Sequence, residues 1–238
     1  MTERAPADDG GADGRDVEYP RIVPVGDSAL LIEFGSGIDP EVNTRVYALA
    51  GQTEAAGHPA VVELVPTYRS LLVQYNPLVS DYGEMLSFMA GLASGVEDSP
   101  GSAVEPKIIE LPVVYGGEDG PDLDAVAEHA GLSAQEVIEI HAGTGYRVYM
   151  IGFAPGFPYL GGLDERIACP RLKTPRTRVP AGSVGIAESQ TGVYPNASPG
   201  GWQLIGRTAV KLFDPSKASP SWVTPGAEVR FVPVKSHD

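Results

Sequence analysis

The 238 residues carry a formal charge of −14, a single cysteine and 42% hydrophobic residues, an ordinary globular composition with enough core for one large domain or two small ones. A nucleic-acid partner would call for a basic surplus, an internal disulfide for a second thiol, and a membrane span for ~20 consecutive apolar residues. None of these is present, and the N-terminus lacks the apolar core of a signal peptide, so a cytoplasmic protein is expected, with no nucleic-acid or membrane partner.

Residues 1–18 hold six acids and two bases and almost nothing to bury, which predicts a disordered acidic tail. "RIVPVGDSALLIEFG" reads as two strands around Gly26-Asp27-Ser28. Asp39-Pro40 opens a helix, with Asp as cap and Pro at the first helical position. Val42, Val46, Leu49 and Ala50 give that helix its apolar stripe, and Gly57-His58-Pro59 stops it. "VVELV" (61–65) and "SLLVQY" (70–75) read as strands. Asp81 to Ala93 reads as a second helix, with Met85, Phe88, Met89 and Leu92 as its core face. This is a small α/β domain over 19–95. The small, polar, proline-broken "ASGVEDSPGSAVE" (93–105) supplies a linker, placed at 96–104.

The second domain covers 105–238. "KIIELPVVYGG" is a strand in which Pro112 suggests an edge or a bulge. Helices follow near 122–130 and 133–142, the latter with a Ser133–Glu136 capping box. "YRVYMI" (146–151) is a strand, and from residue 145 on short strands and turns predict a β-barrel or sandwich, making the whole α+β.

Familiar catalytic signatures fail on inspection. The four histidines, His58, His129, His141 and His237, show no zinc spacing, and no metal is expected in this chain. "GWQLIGRT" (201–208) has phosphate-loop spacing with Arg207 for lysine. The following "AVKLFDP" alternates like a strand, whereas a phosphate loop must open a helix. Ser183 in "AGSVG" lacks the first glycine of a nucleophile elbow. Cys169 has no activating base and reads as an inert thiol.

Residues 152–207 stand apart. They hold six bases and three acids, a net +3 inside an acidic chain. Arg166, Arg171, Lys173, Arg176 and Arg178 occur without an intervening acid. Such a patch attracts a small anion such as phosphate or carboxylate; alternatively, these arginines pair with acids of the N-terminal domain. Prolines and glycines stiffen the surrounding loops. In "GFAPGFPYLGGL" (152–163) the turns aim Phe153, Phe157 and Tyr159. The phenylalanines either plug the barrel mouth or wall a cleft, and Tyr159 is the better ligand-facing candidate.

"YRVYMIGFAPGFPYLGGL", "PRLKTPRTRVPAGSVGIAESQTGVYP" and "SPGGWQLIGRT" together resemble the family of the 5-oxoprolinase B subunit, also known as Kip-type kinase inhibitors or allophanate hydrolase subunit 1. The resemblance implies a small α/β N-terminal domain followed by a cyclophilin-like β-barrel, and a homologous second subunit as partner. It also implies a role in the ATP-dependent opening of 5-oxoproline to glutamate, with ATP bound by the complex and a small anionic substrate. Other branches of the family form the carboxyltransferase half-domain of urea carboxylase or inhibit a histidine kinase. On that reading Arg176, Arg178 and Arg207 clamp phosphate or a substrate carboxylate, Ser183 and Gln190 bond the lactam, and His141 or Glu188 acts as acid or base. Glu188 stands where the family more often has glycine.

Overall fold

The computed structural model describes residues 18–98 and 107–237. The acidic tail, apart from Glu18, and the linker from residue 99 on lie outside the described residues. β1 (Arg21–Val25) and β2 (Ala29–Glu33) meet through Gly26-Asp27-Ser28. Asp39 Oδ1 accepts from the amides of Glu41 at 2.7 Å and Val42 at 3.0 Å. It thereby starts α1 (Pro40–Ala56), which Gly57 ends at φ +60 in the left-handed conformation that glycine enters freely.

β3 (Val61–Pro66) and β4 (Ser70–Tyr75) complete an antiparallel sheet of order β1-β2-β4-β3. α2 (Tyr82–Asp98) starts where Asp81 Oδ1 accepts from the Glu84 amide at 2.9 Å. Val46 and Leu49 of α1 and Met85 and Met89 of α2 pack fully buried against Leu30, Ile32, Leu71 and Val73 of the sheet. The methionines are core. α2 runs five residues beyond the expected Ala93, so 96–98 belong to a helix. Ala93 and Val96 continue the buried row of Met85 and Met89, and that stripe outweighs the small, polar local composition.

The second half begins with β5 (Ile108–Tyr115). α3 (Leu123–Ala130) and α4 (Ala134–Gly143) follow, α4 with the reciprocal Ser133–Glu136 capping box. Then come β6 (Gly145–Ile151), β7 (Pro158–Gly161), β8 (Arg176–Val179), β9 (Ser183–Ala187), β10 (Gln190–Val193), β11 (Ser198–Gly200), β12 (Gln203–Arg207) and β13 (Glu228–Pro233). Seven strands close into a barrel, β10-β7-β6-β13-β5-β12-β9, while β8 and β11 pair separately. Alternate residues fill the interior: Ile109, Leu111 and Val113 of β5, Tyr146 and Val148 of β6, Val184 and Ile186 of β9, Val229 and Phe231 of β13. The chain is α+β, and its second half is a closed barrel.

Two local expectations need correction. β5 is not an edge strand, because it pairs in parallel with β13 and antiparallel with β12. β12, however, is in register only with Val114 and Tyr115. Pro112 therefore faces β13 on one side and costs no ladder bond to β12. The strand expected at 209–213 is irregular, joined at Phe213 to Ser221 by a single bridge. The strand lies instead on 203–207, within the apparent phosphate loop, and no helix follows it.

Candidate functional site

β6 carries a bulge. Val148 is in register with Leu160 and Met150 with Tyr159, leaving Tyr149 as the extra residue. Freed from the ladder, the Tyr149 carbonyl accepts from Asn43 Nδ2 at 3.1 Å and from the Tyr47 hydroxyl at 3.0 Å, both on α1. Asn43 is fully buried and also donates to the Thr67 and Tyr68 carbonyls. Arg147, two residues before Tyr149, donates from Nη2 to Thr44 Oγ1 at 3.1 Å and from Nε to Asn43 Oδ1 at 3.3 Å. Polar bonds thus join α1 and the β3–β4 turn to the barrel at one strand.

The "GFAPGFPYLGGL" loop follows that strand. Phe157 is 2% exposed and packs edge-on to Tyr159, Tyr194, Trp202 and Phe153, with centroids 5.2 to 5.6 Å apart. Phe157 is therefore a plug. Phe153 is the opposite, 67% exposed at φ 63, a conformation that costs an L-residue roughly 1–2 kcal/mol. The neighbouring glycines serve the rings. A Cβ at Gly192 would lie 3.0 Å from Trp202 and 3.1 Å from Phe157, one at Gly200 would strike Tyr194, and one at Gly161 would enter the Tyr149 ring. Of Gly182, Gly185, Gly192, Gly200 and Gly201, only Gly182 has a positive φ. Close ring packing explains Gly192 and Gly200 better than backbone freedom does, and Gly185 sits tight against the Trp202 Cβ and the Gln203 carbonyl of neighbouring β12.

Beside the loop, the Tyr68 ring from the β3–β4 turn lies 5.4 Å from Tyr149 and 5.9 Å from Tyr159, and the Gln190 side-chain amide donates to the Tyr68 hydroxyl. Burial, reinforced by neighbouring Tyr159, pushes the Tyr68 phenol up, so it remains a neutral hydrogen-bonding group. Tyr159, Gln190 and Tyr68 thus meet where the two halves join, an aromatic face with polar tips, to which Phe153 connects through Phe157. Glu188 stands near its rim, exposed, at the tip of the two-residue β9–β10 turn with φ 51. That left-handed φ is the physical reason a glycine suits the position.

The expected cationic clamp is distributed differently. Arg176 Nη2 lies 2.6 Å from Asp122 Oδ1, and Arg207 Nε lies 3.4 Å from Asp119 Oδ1. Both carboxylates come from the β5–α3 connection, not from the N-terminal half. Arg166 pairs with Asp164 at 2.7 Å. Arg178 is exposed on β8. Ser183, 1% exposed, starts β9 opposite Arg207, four residues and so about 13 Å along the strand from the Ala187 end that carries Glu188. The structure gathers Tyr159, Gln190, Phe153 and Phe157. It does not bring Arg176, Arg207 and Ser183 to that face.

His141 lies inside the barrel with no exposed surface, against Phe231 and Tyr146. Thr191 Oγ1 donates to the Gly185 carbonyl at 3.0 Å, so it must accept from His141 Nε2 at 2.9 Å. That leaves Nδ1 to accept from the Tyr115 hydroxyl at 2.7 Å. Burial pushes the imidazole down to about 3. A neutral, fully buried ring with both nitrogens committed reads as a core polar link, where the sequence offers His141 as acid or base. Cys169 is buried too, and burial raises its thiol, as do the nearby carboxylates of Glu188 and Asp122. Among the described residues no cluster of metal-ligating side chains occurs, and no helix is long and apolar enough to cross a membrane.

Residues 20–223 match the carboxyltransferase domain, subdomain C and D, a span that takes in both halves. The chain is 44% identical over 232 residues to the 5-oxoprolinase B subunit of Bacillus subtilis (strain 168), covering 92% of this chain and 94% of that protein. It is also 44% identical over 216 residues to the 5-oxoprolinase B subunit of Escherichia coli O157:H7, covering 90% and 96%. The chain belongs to the 5-oxoprolinase B-subunit family. Its fold superposes on the crystal structure of TTHA0988 with a TM-score of 0.77 at 38% identity, covering 87% of this chain and 40% of that one. In this member of the 5-oxoprolinase B-subunit family, the residues that sequence reasoning missed are Tyr68, Tyr149, Asn43 and Arg147. Asn43 had a signal: a polar residue on the buried row of α1, three before Val46 and seven before Ala50.

Proposed function

We propose that this chain is the B subunit of an ATP-dependent 5-oxoprolinase and supplies half of a site that a homologous second subunit completes. In this reading a small α/β unit (19–95) and a cyclophilin-like barrel (105–238) present the aromatic face to that subunit and to a small anionic substrate, 5-oxoproline, whose lactam is opened to glutamate. The observation that carries the reading is the 44% identity, nearly end to end, with two 5-oxoprolinase B subunits. The face is chemically apt. A lactam offers one N–H and one C=O, and the neutral Tyr68 phenol, the Tyr159 hydroxyl and the Gln190 amide can meet both. Phe153, held outward in a costly conformation, suits a ring meant to be covered.

ATP supplies the driving force for opening a stable amide and belongs to the complex; "GWQLIGRT" holds strand β12 in this chain and offers no helix N-terminus to phosphate. Arg178 and Glu188, both exposed, remain candidates for anion binding and for an acid or base at the rim. Mixing the chain with its partner subunits, ATP and 5-oxoproline should yield glutamate. Undiminished turnover when this chain is left out rejects the proposal.

A further inference from the structure

The segment between β12 and β13 takes no part in the aromatic face, yet it is built with care. It folds back on itself, with the Asp214 amide donating to the Pro220 carbonyl and the Trp222 amide to the Leu212 carbonyl, each at 2.8 Å. One carboxylate holds its tip. Asp214 Oδ1 accepts from the Ser216 amide at 3.1 Å and from Ser216 Oγ at 2.7 Å, while Oδ2 lies 3.2 Å from Lys211 Nζ. The Ser216 bonds, helped by Lys211, hold that carboxyl down to about 2.

Between this fold-back and the residue preceding β5 lies a recess of about 190 Å³, whose walls include Lys107, Lys211, Lys217, Asp214, Ser221 and Trp222. Three lysines and one aspartate line it, in a chain of net charge −14, and the Asp214 carboxylate is already engaged by Lys211, which leaves Lys107 and Lys217 as the surplus. The Ser221 hydroxyl is buried without a hydrogen-bond partner, an arrangement that native structures rarely leave unused; a single χ1 step re-aims it.

We propose that this recess binds a phosphate-class oxyanion, either free inorganic phosphate or the terminal phosphoryl group of a nucleotide. The surplus of two positive charges matches a dianion, and lysine binds phosphate as a point charge. The volume of about 190 Å³ is ample for one phosphate with part of its hydration. The recess belongs to this chain alone, so the proposal stands or falls separately from the 5-oxoprolinase reading.

Trp222 in the wall makes the site visible, because the other tryptophan of the chain, Trp202, is buried in the ring cluster around Phe157. Titrating the full chain with inorganic phosphate should change tryptophan emission saturably, beyond what sodium chloride at equal ionic strength produces. Trp222→Phe should abolish the signal while calorimetry still shows phosphate binding. Lys107→Ala and Lys217→Ala, both at exposed positions, should each weaken binding by about tenfold with unchanged circular dichroism. ADP binding more tightly than phosphate identifies a nucleotide phosphoryl as the ligand, and phosphate binding at least as tightly as ADP identifies the free ion. A response that chloride reproduces, or a phosphate affinity unchanged in both lysine variants, overturns the proposal.

Discussion

His141 makes the barrel acid-sensitive in a defined window. Its folded pKa is about 3 against an unfolded value near 6.5. Below pH 6.5 the unfolded imidazole takes up a proton that the folded one refuses. Stability is therefore complete well above pH 6.5 and lost as pH falls, approaching about 1.4 kcal/mol per unit, or about 2 kcal/mol in all between pH 6.5 and 4.5. The refusal has a structural cause beyond burial: protonating Nδ1 would set it as a donor against the Tyr115 O–H that now donates to it. The half-buried Asp164 and Asp214, held near 2 by hydrogen bonds from Arg166 and Ser216, lose their contribution only below about pH 4, outside the window. Urea unfolding followed by tryptophan emission reports the barrel, since Trp202 and Trp222 both lie in that half. The midpoint should drop by roughly 1 M urea between pH 6.5 and 4.5. His141→Gln keeps an acceptor for Tyr115 and a donor for Thr191 but cannot titrate. It should be destabilised by about 1–2 kcal/mol at pH 7 and nearly flat across the window. Equal pH slopes in the two proteins would refute the argument.

Glu188→Gly relieves a left-handed residue at φ 51 and should raise the melting temperature by about 2–4 °C, the equivalent of about 1 kcal/mol; a fall would mean that the carboxylate makes a stabilising contact. Gly192→Ala puts a Cβ 3.0 Å from Trp202 and should cost about 1–3 kcal/mol in denaturant unfolding. Arg176→Ala strips the mostly buried Asp122 of its cation and should destabilise by about 2 kcal/mol, whereas Arg178→Ala should leave the melting temperature unchanged and weaken anion binding. Asn43→Ala leaves the carbonyls of Thr67, Tyr68 and Tyr149 without that donor. It should cost about 3 kcal/mol and lower turnover in the reconstituted complex, because Tyr68 and Tyr149 lose their common anchor.

Most elements of the fold were legible because their signals are local. Asp39-Pro40, Gly57 and the Ser133–Glu136 pair each set a helix end through atoms a few residues apart, and composition does not disturb them. α2 outran its expected end because burial of Ala93 and Val96 is decided by the sheet across from them. Pro112 misled for a related reason. A proline excludes one hydrogen bond at one position, and a strand whose neighbour is short has such a position in the middle of a barrel.

The site was harder to read, and charge explains why. A run of bases without an acid describes only neighbours along the chain. Asp119 and Asp122 lie far from Arg207 and Arg176 in sequence, and closure of β5 against β12 brings them together. A cation surplus counted over a segment therefore overstates the cation left for a ligand. The rings behave in the opposite way. Burying Phe157 against Trp202 and Tyr194 demands that Gly192 and Gly200 lack side chains, so glycine spacing in this region records ring positions. Phe153 has no such glycine opposite it and takes a costly backbone in the open. Its turn is held by local backbone bonds, the Gly152 amide to the Phe157 carbonyl at 3.1 Å and the Phe157 amide to the Ala154 carbonyl at 3.0 Å, while its one ring contact among the described residues, edge-on to Phe157, leaves most of the ring in water and free to be covered. On these grounds Phe153, more than any of the arginines, marks where the second subunit or the substrate should be sought.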